Sequence, residues 1–457
     1  MKLTRLYKLI FLLLCILIFI KYFVEIADIK SNYLPVWSDE FGYYLNSLSF
    51  YLNKTLEASF TISGKGAKLL GANVHGFMYP LTHGTIAFIF GWNNLNMVIT
   101  NLFLLFLSAL YILKLNFLSL SEKLFSINLI LAYPTGFLYA FTYMQEVIHI
   151  LFAILASSQL YLIYSKNNDH KKNIIFFIII VIFATLYRPT WTFALVTLIP
   201  IAKSRKESVL LITIVVVSIF AGLIYGKYFF EFVPNFFNYA IGHLQNQGAF
   251  AFVKVLFGNF IRNVYRYFLT YNYGPTHFFL KLTIIINSLA FLILAIVWKK
   301  KIFKAISLLY LINIIFLLFF YDAHTWRDVR FLSPLIYFSI IIFAKLFNAY
   351  IKLGILISIV FFFLIAPIDR FKRDRDKFDL SAIEQKRAVI EQTLGDVDKK
   401  TTVQINFIPK DYSLDLLILP VRANNNLIKY IAPYYDVKFQ KYNFILENNQ
   451  KLIPMLN

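Results

Sequence analysis

The sequence predicts an all-α polytopic membrane protein of about 11 transmembrane helices, with a small C-terminal α/β extracytoplasmic domain. Composition, the recurrence of apolar runs and the placement of positive charge carry that expectation. Of the 457 residues, 59% are hydrophobic, 19% aromatic and 15% charged, and the mean hydropathy is +0.65. A soluble domain sits nearer roughly 45–50% apolar and about 25% charged, so an ordinary soluble fold and a disordered chain are both excluded. The lone cysteine, Cys15, lies in the first apolar run. It excludes an intramolecular disulfide, a Cys-rich zinc site and an iron–sulfur cluster. Fifty Phe and 30 Tyr suit contact with lipid and with the membrane interface. A net charge of +21 would point to nucleic acid in a soluble chain. Here the Lys and Arg residues fall in short runs between apolar segments, as the positive-inside rule expects, and no nucleic-acid partner follows.

The first apolar run, Leu9–Val24, follows Lys2, Arg5 and Lys8 and lacks a small-x-small cleavage site. It reads as an uncleaved helix entering from the cytoplasm. Ten further runs follow: Met97–Leu113, Leu124–Met144, Val147–Tyr164, Asn173–Tyr187, Thr190–Ala202, Val209–Gly226, Phe278–Trp298, Ala305–Tyr321, Phe331–Phe347 and Leu353–Pro367. Alternate threading puts Lys114–Lys123, Lys166–Lys172, Lys203–Glu207, Lys299–Lys304 and Phe347–Lys352 on the cytoplasmic side, and each carries positive charge. The short run Met78–Gly91, with Pro80 and His83, would reverse every later loop if it crossed. It is therefore expected as an interfacial or re-entrant helix. Arg188-Pro189 divides one long apolar stretch into two short helices.

Residues 1–367 then form the membrane domain, with external loops 25–96 and 227–277, and residues 368–457 form the external tail. In the tail, Ser381 and Glu384 make a capping box that opens a helix. Thr401–Ile408, Leu414–Leu419 and Tyr442–Leu446 read as strands.

Chemistry-bearing residues gather on the external face of this topology. Ser38 can cap a helix whose first turn holds Asp39 and Glu40, and Phe41, Tyr44, Leu45, Leu48, Tyr51 and Leu52 follow at spacings of three and four. That pattern is an amphipathic helix at the membrane surface, presenting two carboxylates at the water–lipid boundary. The same loop carries His75-Gly76-Phe77-Met78-Tyr79-Pro80. Glu146 stands at the external end of a span, where an ionisable group is a functional candidate, and Arg188 is its structural pairing partner in the plainest reading. In the second loop Val253, Leu256, Phe257, Phe260, Ile261, Val264 and Tyr267 make a helical stripe, with Arg262 and Arg266 on one face beside it. His324, Arg327 and Arg330 lie in the connection before Pro334. Acids able to take a hydroxyl proton, beside cations able to hold a departing phosphate, are what group transfer from a lipid-linked phosphate requires.

These features resemble the GT-C superfamily of membrane glycosyltransferases, close in style to bacterial relatives of the protein O-mannosyltransferases and the lipid A aminoarabinose transferase. The carriers are Asp39-Glu40 opening a helix after the first span, the segment from His75 to Pro80, Glu146, Arg188-Pro189-Thr190 and Arg330-Phe331-x-x-Pro334. Gly76 and Phe77 stand where that family's segment has two prolines. The resemblance implies a GT-C-like membrane fold and an inverting transfer on the extracytoplasmic face of a bacterial inner (plasma) membrane. The donor is a polyprenyl-phosphate-linked sugar and the acceptor a hydroxyl on a glycan, lipid or protein. Asp39 is then the general base, and Glu40 orients that base or the acceptor, or helps to hold a divalent metal cation. His75, Tyr79, Glu146, Arg188, Arg262, Arg266, His324, Arg327 and Arg330 are the substrate-binding set. The competing classes are a lipid-linked glycan flippase, which would place charges at mid-membrane, and an O-antigen-type polymerase, which gives Asp39-Glu40 no special role.

Overall fold

The computed structural model describes residues 2–27, 29, 35, 38–57, 60–61, 77–165, 170–229, 236–269, 275–321, 332–365, 380–394, 401–405, 428–431, 444–446 and 452–454. Helices dominate. Helix α1 (Lys2–Ala27) is followed by α2 (Ser38–Asn53), the two-residue strand β1 (Phe60–Thr61), α3 (Met78–Phe90) and α4 (Asn96–Lys114). Then come α5 (Leu120–Ala132), α6 (Pro134–Ala140), α7 (Glu146–Tyr164), α8 (His170–Tyr187) and a 3₁₀ helix (Pro189–Ile201). Helices α9 (Arg205–Phe229), α10 (Phe236–Val264), α11 (Pro275–Val297), α12 (Lys301–Ile315), α13 (Ser333–Leu346) and α14 (Ala349–Ile365) complete the helical part. Among the described residues four helical stretches are long and apolar enough to cross a bilayer: Leu6–Ala27, Asn96–Lys114, Glu146–Tyr164 and Lys301–Phe320. The last of these joins α12 to a π turn, Phe316–Phe320.

Two expected spans take a different form. The run Leu124–Met144 is two helices rather than one. Tyr133 is extended (φ −66°, ψ 130°) and Pro134 starts α6, because proline excludes the helical conformation from the residue before it and cannot donate to the preceding turn. The run after Pro189 winds as a 3₁₀ helix of 13 residues. At about 2.0 Å of rise per residue it covers about 26 Å, against about 20 Å as an α-helix. The tighter winding thus lengthens a stretch that would otherwise fall well short of the roughly 30 Å hydrocarbon layer.

Polar side chains join the helices. Asn128 Nδ2 donates to the Phe11 carbonyl at 2.8 Å and the Tyr22 hydroxyl to that of Leu131 at 3.0 Å, binding α5 to α1. At one end of the bundle Glu122 meets Lys345 at 3.4 Å and Lys352 at 3.9 Å. Lys123 Nζ donates to the Leu113 carbonyl there, and Tyr7 packs edge-on against Tyr350. The start of α1, the α4–α5 turn and the α13–α14 turn therefore meet at one basic end. The opposite end collects the last turns of α1 and α14, where Lys21 Nζ donates to the Phe363 carbonyl at 2.7 Å and lies over the Phe137 and Phe363 rings.

The tail contributes helix α15 (Leu380–Leu394) and strands β2 (Thr401–Ile405), β3 (Ile428–Ile431), β4 (Phe444–Leu446) and β5 (Leu452–Pro454). The sheet order is β1-β3-β2-β4-β5, parallel except for the antiparallel β4–β5 pair. Strands β2 and β4 fall inside two of the expected strands, whereas Leu414–Leu419 lies outside the described residues. The sheet is not made by the tail alone. Phe60 pairs with Tyr430 and Thr61 with Ile431, so the first long loop supplies its edge.

Close packing at Gly136 gives a first prediction. A methyl group there would meet the Ile130 carbonyl oxygen at 2.7 Å and the Tyr337 hydroxyl at 2.7 Å. Gly136→Ala should lower stability by about 1–3 kcal/mol, the usual range for overpacking, read as an earlier thermal transition in detergent.

Candidate functional site

At the end of the bundle opposite the basic turns, an irregular stretch at residues 141–145 separates α6 from α7. Its backbone groups lie among buried side chains, where each needs a partner. Asn101, inside α4, supplies one side: its Nδ2 donates to the Thr142 carbonyl at 2.7 Å and lies within 3.4 Å of those of Tyr139 and Met144. The Tyr79 hydroxyl donates to the Met144 carbonyl at 2.8 Å. Glu40 supplies the other side. It is fully buried, and its Oε1 accepts the Tyr143 N–H at 2.8 Å. Asn101 escaped the sequence reading, although a lone amide in an apolar run was its signal.

Helix α2 forms where the cap and the apolar spacing place it, and it buries Phe41, Tyr43, Tyr44 and Leu45. The Tyr44 hydroxyl donates to Asn94 Oδ1 at 2.9 Å, and its ring sits edge-on to Tyr143 at 5.7 Å. Asp39 lies in the first helical turn beside Glu40. Tyr43 packs edge-on against Tyr79 at 4.7 Å, joining α2 to α3. Burial raises the Tyr79 phenol well above its ordinary value; the Asn101 hydrogen bond opposes this, while Glu146 and Glu40 add to it. Both carboxylates therefore lie within electrostatic reach of one phenol.

Glu146 opens α7 and pairs with Arg188 at 3.6 Å, with both side chains buried. Arg188 in turn lines a small cleft of about 30 Å³, partly open to solvent. Thr190 and Trp191 of the 3₁₀ helix share its wall, with Asn313 of α12 and Pro334 and Leu335 of α13 opposite. The Arg188-Pro189-Thr190 motif and the Pro334 end of the second arginine motif, some 145 residues apart in the chain, thus border the same space. Trp191 is held by a 3.0 Å hydrogen bond from its indole N–H to His149 Nδ1.

Comparison with protein-family models, curated proteins and solved structures finds no match. The site is therefore read from its own geometry.

The remaining sequence-selected residues fall elsewhere. His75, His324, Arg327 and Arg330 lie outside the described residues. Arg262, which donates to Asn259 Oδ1, sits on α10, and Arg266 sits on the π turn that follows (Tyr265–Leu269); neither lines the cleft. The apolar stripe expected there is split: Val253, Phe257 and Ile261 are more than half exposed, whereas Tyr267 is buried and Phe260 stacks on Phe319 at 4.8 Å. The packed side also carries asparagines. Asn259 donates to the carbonyls of Phe319 and Tyr321, and Asn263 to those of Leu317, Leu318 and Tyr321, where the π turn has freed them. Among the described residues no three His, Cys, Asp or Glu side chains gather as a metal-ligand set.

Two predictions follow from these contacts. Removing one member of a buried ion pair leaves the other charge uncompensated, so Arg188→Met should cost about 3–5 kcal/mol of stability. Arg188→Met with Glu146→Gln should regain most of it, measured by denaturant unfolding in detergent. His83, on α3, is buried against the Tyr79 ring, and among the described residues neither of its nitrogens has a hydrogen-bond partner. Burial pushes its pKa down from 6.5 to about 3. The unfolded chain therefore takes up that proton first, and stability falls as pH drops from 6.5 towards 3, at about 1.4 kcal/mol per pH unit. His83→Gln should flatten that acid limb and leave stability above pH 6.5 with no slope from this residue.

Proposed function

We propose that the protein is an inverting glycosyltransferase of the GT-C type. It moves a sugar from a polyprenyl-phosphate carrier to an acceptor hydroxyl at the extracytoplasmic face of a bacterial plasma membrane. The observation that carries this reading is the link between an acid-bearing helix start and a cation-lined cleft. Glu40, beside Asp39, bonds the stretch that leads into Glu146; Glu146 pairs with Arg188; and Arg188 borders the cleft.

In the reaction the acceptor oxygen attacks the anomeric carbon and passes its proton to the Asp39 carboxylate. The bond from that carbon to the carrier phosphate breaks, and the electron pair leaves with the phosphate. A cation at the cleft stabilises the charge that accumulates on that oxygen. Arg188 meets that need from within the bundle; His75, Arg262, Arg266, His324, Arg327 and Arg330 remain the other proposed donor-binding residues. Glu40, whose Oε1 is already committed to a backbone N–H, is assigned to holding the first turn of α2.

Eleven spans, a membrane domain of residues 1–367 and an extracytoplasmic α/β domain of residues 368–457 belong to the same proposal. The β1–β3 pairing supports the parity of that count. Two hydrogen-bonded strands lie on one side of a membrane, so the chain crosses an even number of times between Thr61 and Ile428. Ten crossings after α1 meet that condition, and the lysine-rich turns then gather at the other, cytoplasmic end.

Asp39→Asn should leave the thermal transition unchanged and lower transfer from a panel of polyprenyl-phosphate sugars by about 10²–10⁴-fold, the usual worth of a general base. Transfer by the variant at the wild-type rate would remove Asp39 from the mechanism.

A further inference from the structure

Gly248, at φ 82° and ψ −178°, breaks α10 with a conformation that only glycine adopts without strain. Residues 249–264 then run as a helix about 24 Å long. Among the described residues its packing on the bundle gathers at one place, the π turn Phe316–Phe320, and no helix runs alongside it. The bonds from Asn259 and Asn263 and the Phe260 ring stacked on Phe319 fix it there. That π turn marks a level. It ends the apolar stretch Lys301–Phe320, whose 20 residues cover about 30 Å, the depth of the hydrocarbon layer. The other end of the stretch is the lysine turn at residues 299–304. Helix α10 thus docks where that stretch leaves the membrane.

Phe250, Val253, Phe257, Ile261 and Tyr265 recur at three and four residues on the side away from the asparagines, and each is more than half exposed. Lys254, Arg262 and Arg266 follow along one flank of that stripe, and residues 236–269 contain no Asp or Glu. An apolar stripe rich in rings, with cations on its flank and no acid, is the pattern of a helix lying in a membrane interface. Crossing the bilayer would also cover the stripe with lipid, but α10 is not one of the four described stretches apolar enough to cross. We propose that residues 249–265 lie in the plane of the bilayer at its headgroup boundary, with the stripe against acyl chains and the basic flank on anionic headgroup phosphates. A carrier phosphate would meet Arg262 and Arg266 in that same layer. The leaflet, the extracytoplasmic one, rests on the topology proposed above; the in-plane docking does not.

The test uses Val253→Cys, Phe257→Cys and Ile261→Cys, each alone in a Cys15→Ala background, labelled with bimane. The full-length variants are reconstituted in vesicles of phosphatidylcholine and phosphatidylglycerol. Nitroxide lipids labelled at the headgroup, high on the acyl chain or near its end serve as quenchers. All three positions should be quenched best by the label high on the chain, at depths that agree within about 5 Å. A helix crossing the bilayer would separate residues 253 and 261 by about 12 Å in depth, at about 1.5 Å per residue, and that result would overturn the proposal. So would labels that no acyl quencher reaches, or a Phe257→Cys disulfide between two copies, which would give the stripe to water or to a second copy.

A second measurement tests the basic flank. With the label at residue 261, acyl-labelled phosphatidylglycerol should quench about two-fold more than acyl-labelled phosphatidylcholine at equal fraction. Lys254→Gln with Arg266→Gln should level the two lipids. Equal quenching with the native flank would overturn the headgroup assignment. Sidedness is read from Lys254→Cys in intact cells, where a membrane-impermeant maleimide should label it without permeabilisation. Labelling only after permeabilisation would uphold the in-plane helix and count against the proposed topology, and with it the extracytoplasmic site.

Discussion

An unpaired backbone group in an apolar surround costs several kcal/mol, and the stretch at residues 141–145 would leave several of them between α6 and α7. Its rescue organises the site. Asn101 gathers the carbonyls from α4, Tyr79 takes one from α3, and Glu40 accepts an N–H from α2. The successive helices α2, α3 and α4 are thereby held against the start of α7, which is where Glu146 meets Arg188. Had the helix run unbroken from Leu120 to Tyr164, its backbone would have satisfied itself and called for none of these contacts.

The same logic recurs at the second irregularity. The π turn after α12 frees the carbonyls of residues 317–321, and two asparagines one turn apart on α10 collect them. Amides as well as rings thus join this helix to the end of α12, while Val253, Phe257 and Ile261 of its apolar stripe face outward. Distribution of charge separates the two ends of the molecule. Glu122, Lys345 and Lys352 lock the basic turns to one another, whereas the buried acids Glu40 and Glu146 belong to the opposite end. Clustering of the lysines away from the acids keeps the candidate site's charges local to Arg188 and its neighbours.

Much of the site was legible in the chain because its motifs are local. Asp39 and Glu40 announce a helix start, and α2 begins at Ser38. Arg188-Pro189 announces a break, and the helix geometry changes there. The pairing of Glu146 with Arg188 was the plain structural reading of two opposite charges near the ends of adjacent helices, and it is what forms. Less legible were Asn101, Asn259 and Asn263. Each is a single amide whose purpose depends on carbonyls that only a break elsewhere releases. Strand β1 was hidden for a related reason: two residues carry no period, and their partner lies some 370 positions away.

By itself the sequence determined what local physics can determine: apolar runs that form helices, charged turns between them, and the points where proline or an N-cap starts and stops a helix. Those properties depend on neighbours within about four residues and survive in any arrangement of the helices. Tertiary structure decided which ends meet. It set Asn259 and Asn263 of α10 against the carbonyls that end α12 and paired β1 of the first loop with the tail. It also set Arg188 and Pro334 on the walls of one cleft. Each of these outcomes satisfies a hydrogen bond, a charge or an apolar side chain whose partner is remote in sequence, so no local pattern records it.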